Sequence, residues 1–215
     1  MKCNFSFAHY KEVLEYAKSK GYFFFRFRDH KDSLGKKKAI FLRHDIDFTL
    51  KNALVIAEIE KKLGIASTYF IRVDGNYNPF SYQNYGMIKK IIAFGHEIAL
   101  HYTPDYASFF GEEHVELFKR QKKYLENAVN REILGISTHE PGNSKFRVED
   151  SDLKKFGLKY QAYSTIFTKD MKYISESSGR WREGCMCNFI KKNAPKLSIL
   201  THPIWWFEKT PLENY

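Results

Sequence analysis

The sequence predicts an α/β chain in which parallel strands are joined by helical crossovers. Three observations carry that reading. Short β-branched and aromatic runs alternate with amphipathic stretches along most of the chain, which is the pattern of βα units. The length of 215 residues fits one α/β barrel of about 200–250 residues. Three histidines and a pair of aspartates fall where successive predicted strands stop, and parallel topology brings such strand ends to one edge.

Taken in order, a helix is expected over Tyr10 to Lys20, then a strand over Ala39 to Ile46. Thr49 caps a second helix, in which Val55, Ile56, Ile59 and Leu63 recur at helical spacing and which Gly64 ends. A strand follows over Ser67 to Arg72. Met87 to Phe94 is the apolar part of a helix stopped by Gly95, and Glu97 to His101 is the next strand. Val115, Phe118, Leu125 and Val129 line one face of a long helix. Ile133 to Thr138 then forms a strand, and a weaker helix precedes Gly157. The last strands expected are Tyr160 to Phe167 and Leu197 to Thr201. Periodicity does not choose between a closed barrel and an open doubly wound sheet, because both bury parallel strands behind helices. No Gly-rich phosphate fingerprint follows any strand, so a dinucleotide-binding fold has no support.

Hydrophobic residues make up 43% and aromatics 17% of the chain, ample for a core, and 28% charged residues is ordinary. These values exclude disorder over most of the chain. The net charge of +10 suits an anionic partner. Lysine runs at Lys36–Lys38, Lys61–Lys62, Lys122–Lys123 and Lys191–Lys192 equally suit solvated faces. With no recognised module beside the charge, no nucleic acid is expected as a partner. Cys3, Cys185 and Cys187 cannot all pair within one chain and show no familiar metal-ligand spacing. Met1 to Phe7 lacks the apolar core of a signal peptide, and Tyr22 to Phe27 is too short to cross a bilayer. The expected location is cytoplasmic, with no transmembrane segment.

Four clusters carry chemistry. In Arg43-His44-Asp45-Ile46-Asp47, alternation puts Arg43, Asp45 and Asp47 on one face. Two carboxylates so close favour a cation between them or a shared proton; the plainer reading has Asp47 capping a helix and Asp45 paired with Arg43. His101 ends the strand begun at Glu97, where a neutral imidazole is placed to bind a divalent metal. His96 starts that strand, at the wrong edge, and reads as structural. His139 stands before the Glu140-Pro141-Gly142 turn, and His202 ends the last strand ahead of Trp205 and Trp206. No HExxH spacing is present, so a helical metalloprotease site is not supported.

In this order, Arg43-His44-Asp45-Ile46-Asp47, then Gly95-His96-Glu97-Ile98 running to His101, then Leu200-Thr201-His202-Pro203 resembles the polysaccharide deacetylases. These are the NodB-like carbohydrate esterases, and the likeness is greatest to their short intracellular branch. It spans roughly Ile40 to Trp206. The resemblance implies a distorted (β/α)7 TIM-like barrel in one domain over residues 1–215, with 1–36 as a helical extension packed on it. It also implies Asp45 as general base, Asp47 and His101 as metal ligands, and His202 as the acid that protonates the leaving group. The family's second metal histidine falls on Asp105, and His139 matches its third motif, so the third ligand is either His139 or Asp105. Glu140 stands where the family has an arginine before proline, and Arg43 is the candidate to orient the base instead.

The implied activity is metal-dependent removal of an acetyl group from an N-acetylated, less readily an O-acetylated, sugar. The sugar is expected on a nucleotide- or lipid-linked precursor. Zinc heads the candidate metals, with cobalt, nickel, iron and manganese also compatible with His and carboxylate ligands. Tyr102, Trp205 and Trp206 are candidates to bind the sugar ring, with core filling as the plain alternative. Two other classes stay open: a catalytically impaired glycan binder, suggested by Asp105 and Glu140, and a polyanion- or nucleic-acid-binding protein.

Overall fold

Every residue of the strand Ala39–Ile46 (β2) is buried, because one of its faces looks into a barrel and the other lies under helices. The computed structural model of the chain describes residues 3–142, 144 and 146–214. Around β2 the other strands are Phe23–Phe25 (β1), Thr68–Ile71 (β3), Glu97–Tyr102 (β4), Gly135–Thr138 (β5), Tyr160–Gln161 (β6), Lys172–Ser177 (β7), Arg180–Trp181 (β8) and Lys196–Thr201 (β9). Their order is β6-β5-β4-β3-β2-β9-β7-β8, with β1 also on β2. All pairs are parallel except the β7–β8 hairpin. β1 and β3 share one edge of β2: β1 takes Ala39 to Phe41 and β3 takes Arg43 to Ile46.

The architecture is a distorted barrel of seven parallel strands, β2 to β7 and β9, left open where no pairing among the described residues joins β6 to β7. Phe27, Phe41, Phe70, Tyr160 and Phe167 fill its lower interior as one apolar cluster, each buried ring stabilising by roughly 1.5–3 kcal/mol. Outside lie the helices Phe7–Ser19 (α1), Lys51–Lys62 (α2), Tyr82–Ala93 (α3), Asp105–Phe110 (α4), His114–Val129 (α5), Thr165–Thr168 (α6) and Met186–Lys191 (α7). Their apolar stripes face the sheet. On α5 these are Leu117, Phe118, Leu125, Ala128 and Val129, at the three- and four-residue spacing of one helix face. Among the described residues no helix is long and apolar enough to cross a membrane.

Several expectations change. The segment up to residue 36 is more than a helical extension, since α1 packs on α2 and α7 while β1 joins the sheet. The strand expected over Tyr160 to Phe167 stops at Gln161, where Ser164 N–H bonds back to Gln161 O at 3.1 Å and starts α6. Asp150–Asp152 is a 3-10 turn with a Glu149 capping box rather than an α-helix. β1, β7 and β8 are strands that the pattern of the sequence does not mark.

The helical side of the sheet carries one fully buried charge. Glu60 lies on the inner stripe of α2 at 0% exposure. Its carboxylate accepts from Tyr10 Oη (2.6 Å), Tyr69 Oη (2.7 Å), Ser67 Oγ (2.7 Å) and His44 Nε2 (2.8 Å). With Nε2–H given to Glu60, His44 Nδ1 accepts from the Thr201 hydroxyl at 2.8 Å. One residue thus ties α1, α2, β2, β3 and β9. His96 lies in the same layer, between Ala57 O (3.1 Å) and Ser67 N (3.2 Å), the structural place its position at a strand start suggests.

Burial raises the Glu60 carboxyl, but His44, His96 and Tyr10 outweigh it and hold it at about 2, below its ordinary 4.5. That contribution is complete above the unfolded value and lost as pH falls toward the folded one. Burial holds His96 below its ordinary value, so acid also favours the unfolded chain below about pH 6.5. Thermal melts should therefore show a midpoint that falls progressively below about pH 6.5. Glu60→Gln should flatten the limb between roughly pH 4.5 and 2. Glu60→Ala should cost about 3–5 kcal/mol at neutral pH in a denaturant titration; a loss under 1 kcal/mol would contradict the hub.

Candidate metal centre and catalytic mouth

Period-two alternation turns Arg43 and Asp45 of β2, and His101 of β4, into the barrel, and Asp47 follows one step beyond β2. His139 comes directly after β5, its N–H bonded to Tyr102 O at 2.8 Å. His202 comes directly after β9, its N–H bonded to Glu176 Oε2 at 2.8 Å. Parallel strands therefore deliver all of them to the same C-terminal edge. Asp45, Asp47, His101, His139 and His202 line one cavity of about 550 Å³, whose walls also include Tyr163, Tyr173, Arg182 and Trp205, while Arg43 lies beneath it, bonded to Asp45.

Asp47, His101 and His139 offer one ligand atom each, all within 4.8 Å of one another. His101 Nδ1 lies 3.0 Å from Ser137 O, so that nitrogen carries the proton and Nε2 keeps its lone pair for the cavity. Nε2 of His101 is 3.2 Å, and Nε2 of His139 is 3.7 Å, from Asp47 Oδ1. That oxygen is buried and, among the described residues, accepts no well-formed hydrogen bond. Burial raises the Asp47 carboxyl, but His101 and His202 turn the net shift downward. Burial, with His101 and Arg72, lowers His139. The result is two imidazoles converging on one unsatisfied carboxylate oxygen, a donor set that fits a divalent cation.

Asp45 is 2% exposed and gripped by Arg43 through two parallel bonds, Nε to Oδ1 at 2.8 Å and Nη2 to Oδ2 at 2.7 Å. Burial raises its carboxyl, but Arg43, His101 and His202 bring it well below the usual carboxylate range. It is ionised at any physiological pH. Its Oδ2 lies 3.4 Å from His101 Nε2, beside the metal donors. The plain reading of the first cluster thus holds in one half only: Asp45 does pair with Arg43, but Asp47 does not cap the following helix.

His202 Nδ1 lies 3.2 Å from Glu176 Oε2, and its Nε2 is 3.8 Å from Asp47 Oδ2. Burial lowers the imidazole, but the Glu176 bond and the charges of Asp45, Glu176 and Asp47 raise it on balance. Glu176, which backs His202 at the mouth, is a site residue that the pattern of the sequence does not mark, because β7 carries little apolar character. A signal existed. Ser178-Gly179 joins β7 to β8 with both residues at positive φ, 53° and 69°, the type I′ geometry that a Ser-Gly pair marks. Gly179 N–H also donates to Glu176 Oε1 at 3.0 Å, so the turn helps fix the carboxylate.

Three expected site residues stand elsewhere. Tyr102 follows inward-facing His101 and so points outward; it is fully buried, bonded to His114 O at 3.1 Å and edge-on to Phe118. Trp206 is fully buried against Phe5 and Tyr10. Both are core residues, and only Trp205 of the proposed aromatic set reaches the cavity. Asp105 begins α4, is exposed, and accepts from Ser144 Oγ at 3.1 Å, whereas His139 is the residue that joins Asp47 and His101.

No protein-family model and no curated protein matches the chain. Solved structures match its fold. A polysaccharide deacetylase from Bacillus cereus is 18% identical, with a TM-score of 0.55 over 96% of this chain and 59% of that one. IcaB from Ammonifex degensii is 17% identical, with a TM-score of 0.54 over 94% and 86%. A CE4 family pseudoenzyme from Bacillus anthracis is 19% identical, with a TM-score of 0.48 over 79% of this chain. The chain spans 56% of that last protein's length. At these identities the likeness is one of fold, and the fold is the distorted barrel described above.

Asp47→Ala and His101→Ala should each bind a loaded divalent cation far more weakly than the parent while circular dichroism stays native. The affinity loss should exceed the roughly 10–100-fold that an outer-shell partner is worth. Asp105→Ala should bind metal as the parent does. Elemental mass spectrometry after controlled loading reads all three, and retention of metal by the Asp47 variant would exclude the assignment.

Proposed function

We propose that the chain is a metal-dependent hydrolase that removes an acetyl group from an N-acetylated sugar. The observation that carries this reading is the meeting, at one mouth, of three metal donors, an always-ionised aspartate and a carboxylate-backed histidine. Asp47, His101 and His139 would hold the cation, with zinc first among the metals. A divalent cation held there supplies Lewis acidity: it acidifies water and polarises a carbonyl.

The remaining chemistry belongs to side chains. Asp45 accepts the proton of the attacking water. Arg43 keeps its two oxygens fixed and deprotonated, and the basicity that this ion pair removes has to be offset by acidification of the water. His202, with Nδ1 directed at Glu176, presents Nε2 to the cavity and delivers a proton to the departing nitrogen. An amide needs that proton, because an amine does not leave as its anion, and the raised affinity of His202 for protons suits the task. Trp205 offers an apolar wall for a sugar ring. Arg182 on the same wall, with the net charge of +10, supports a phosphate-bearing precursor as the sugar's carrier. The fold shared with the Bacillus cereus polysaccharide deacetylase supports the same substrate class.

Acetate release from N-acetylated sugars, free and nucleotide-linked, by metal-loaded protein tests the reading. Asp45→Asn and His202→Ala should each lower kcat by roughly 10²–10⁴-fold with metal retained. Sugar binding without acetate release from any substrate would replace this account with a glycan-binding one. In the pH profile of kcat, activity that needs protonated His202 falls as pH rises through its pKa. Glu176→Gln removes a cause of the raised value, so that limb should move to lower pH; an unmoved limb would separate His202 from the proton transfer.

A further inference from the structure

Outside the barrel, on the helical layer, four further ligand-type side chains meet. Cys3 precedes α1, His9 lies in its first turns, and Cys185 and Cys187 sit at the start of α7. Their Sγ and imidazole nitrogen atoms all lie within 4.8 Å of one another. Cys3 Sγ is 3.3 Å from Cys187 Sγ, and His9 Nε2 is 3.3 Å from Cys185 Sγ. Three of the four are buried and Cys3 closes the group from the surface.

We propose that Cys3, His9, Cys185 and Cys187 form a second metal site, a closed Cys3His site for zinc that fastens the start of the chain to α7. The donor set is the first argument. Three thiolates and one imidazole form one of the tetrahedral sets that zinc takes in structural sites, with Zn–S about 2.3 Å and Zn–N about 2.0–2.1 Å. Such a tetrahedron places its ligand atoms about 3.5–3.8 Å apart, close to the two separations above. A disulfide is a poorer account. Sulfurs at 3.3 Å are farther apart than the roughly 2.0 Å of that bond, and a disulfide leaves one thiol and His9 unexplained.

The second argument is the far side of the imidazole. His9 Nδ1 is buried without a well-formed hydrogen bond, and Glu12 Oε2 stands 3.5 Å from it. A histidine with a carboxylate behind one nitrogen and sulfur ligands before the other has the outer-shell arrangement of a metal-bound imidazole. With four protein ligands the site has no open position, so it is structural and takes no part in hydrolysis. It is soft where the mouth is hard: the mouth offers oxygen and nitrogen only, which lets the two sites be read separately.

Cobalt(II) loading of the reduced, full-length protein is the test. A thiolate-to-cobalt charge-transfer band should appear and saturate at one cobalt for the site. It should persist in Asp47→Ala, which lacks only the mouth ligand, and vanish in Cys187→Ser and in Cys3→Ser. Cys3 is exposed, so its variant reads the site even where loss of a buried cysteine prevents folding. Removing zinc from the loaded parent should lower the Tm by roughly 10 °C. The absence of the band in the reduced parent would overturn the proposal. So would thiols that react with a disulfide reagent equally fast with and without zinc, or a mass lower by two hydrogens in protein kept under reductant. None of these outcomes bears on the hydrolase reading.

Discussion

Inside the barrel the Arg43 guanidinium, 1% exposed, has only protein groups to bond. It donates to Asp45, to Ser137 on β5 and to Tyr163 at 2.9 Å, and lies over the Tyr163 and Phe70 rings at 4.4 and 5.3 Å. A buried ion pair is weak as a source of stability, since desolvation opposes it, but removing one partner strands a charge at a cost of about 3–5 kcal/mol. The pair therefore constrains more than it stabilises. It spans the interior from β2 across to β5 and to the segment after β6, beside the opening the sheet leaves unclosed. It also fixes the protonation state of Asp45 before any ligand arrives. The apolar plug below and the cluster of Asp47, His101 and His139 above sit on either side of this layer.

The two faces of β2 divide labour by alternation. Asp45 faces in, toward the metal donors, while His44 faces out and ends on Glu60. A polar hub on the helical side thus holds the backbone that carries Asp45. Likewise His101 faces in while its neighbour Tyr102 faces out and anchors α5 through His114. Chemistry and support come from consecutive residues, each side chain prevented by the pleat from taking the other's role.

Much of this was legible in the sequence because it is local. β2 shows at its exact bounds as a buried apolar run ending in carboxylates, and the histidines at the ends of β4, β5 and β9 show as breaks between strand and turn. The misjudged residues fail for physical reasons. Tyr102 was read by type, when the phase set by His101 already pointed it outward. Asp105 was read by its offset from His101, yet the chain turns into α4 there and carries it away. Glu176 lay on a strand, Lys-Tyr-Ile-Ser-Glu-Ser, with too little apolar character to mark it. Barrel closure depends on cumulative twist, which periodicity does not encode. Spacing along the chain does not reveal the cysteine group, because the fold gathers Cys3, Cys185 and Cys187 with His9 from two segments far apart in sequence.

The strand order has a consequence for how the molecule is made. β2 pairs with β9 from Ala39↔Lys196 onward, so the centre of the sheet waits for its partner until more than 150 further residues have emerged. At about 5–20 residues per second, that delay is roughly 10–30 s of translation. Throughout it, one edge of this fully buried strand is unpaired, the kind of edge that recruits foreign strands. His202 arrives with β9, so the lining of the mouth is incomplete until that edge is covered. The interval in which the nascent chain needs protection thus ends with the same pairing that completes the wall of the mouth.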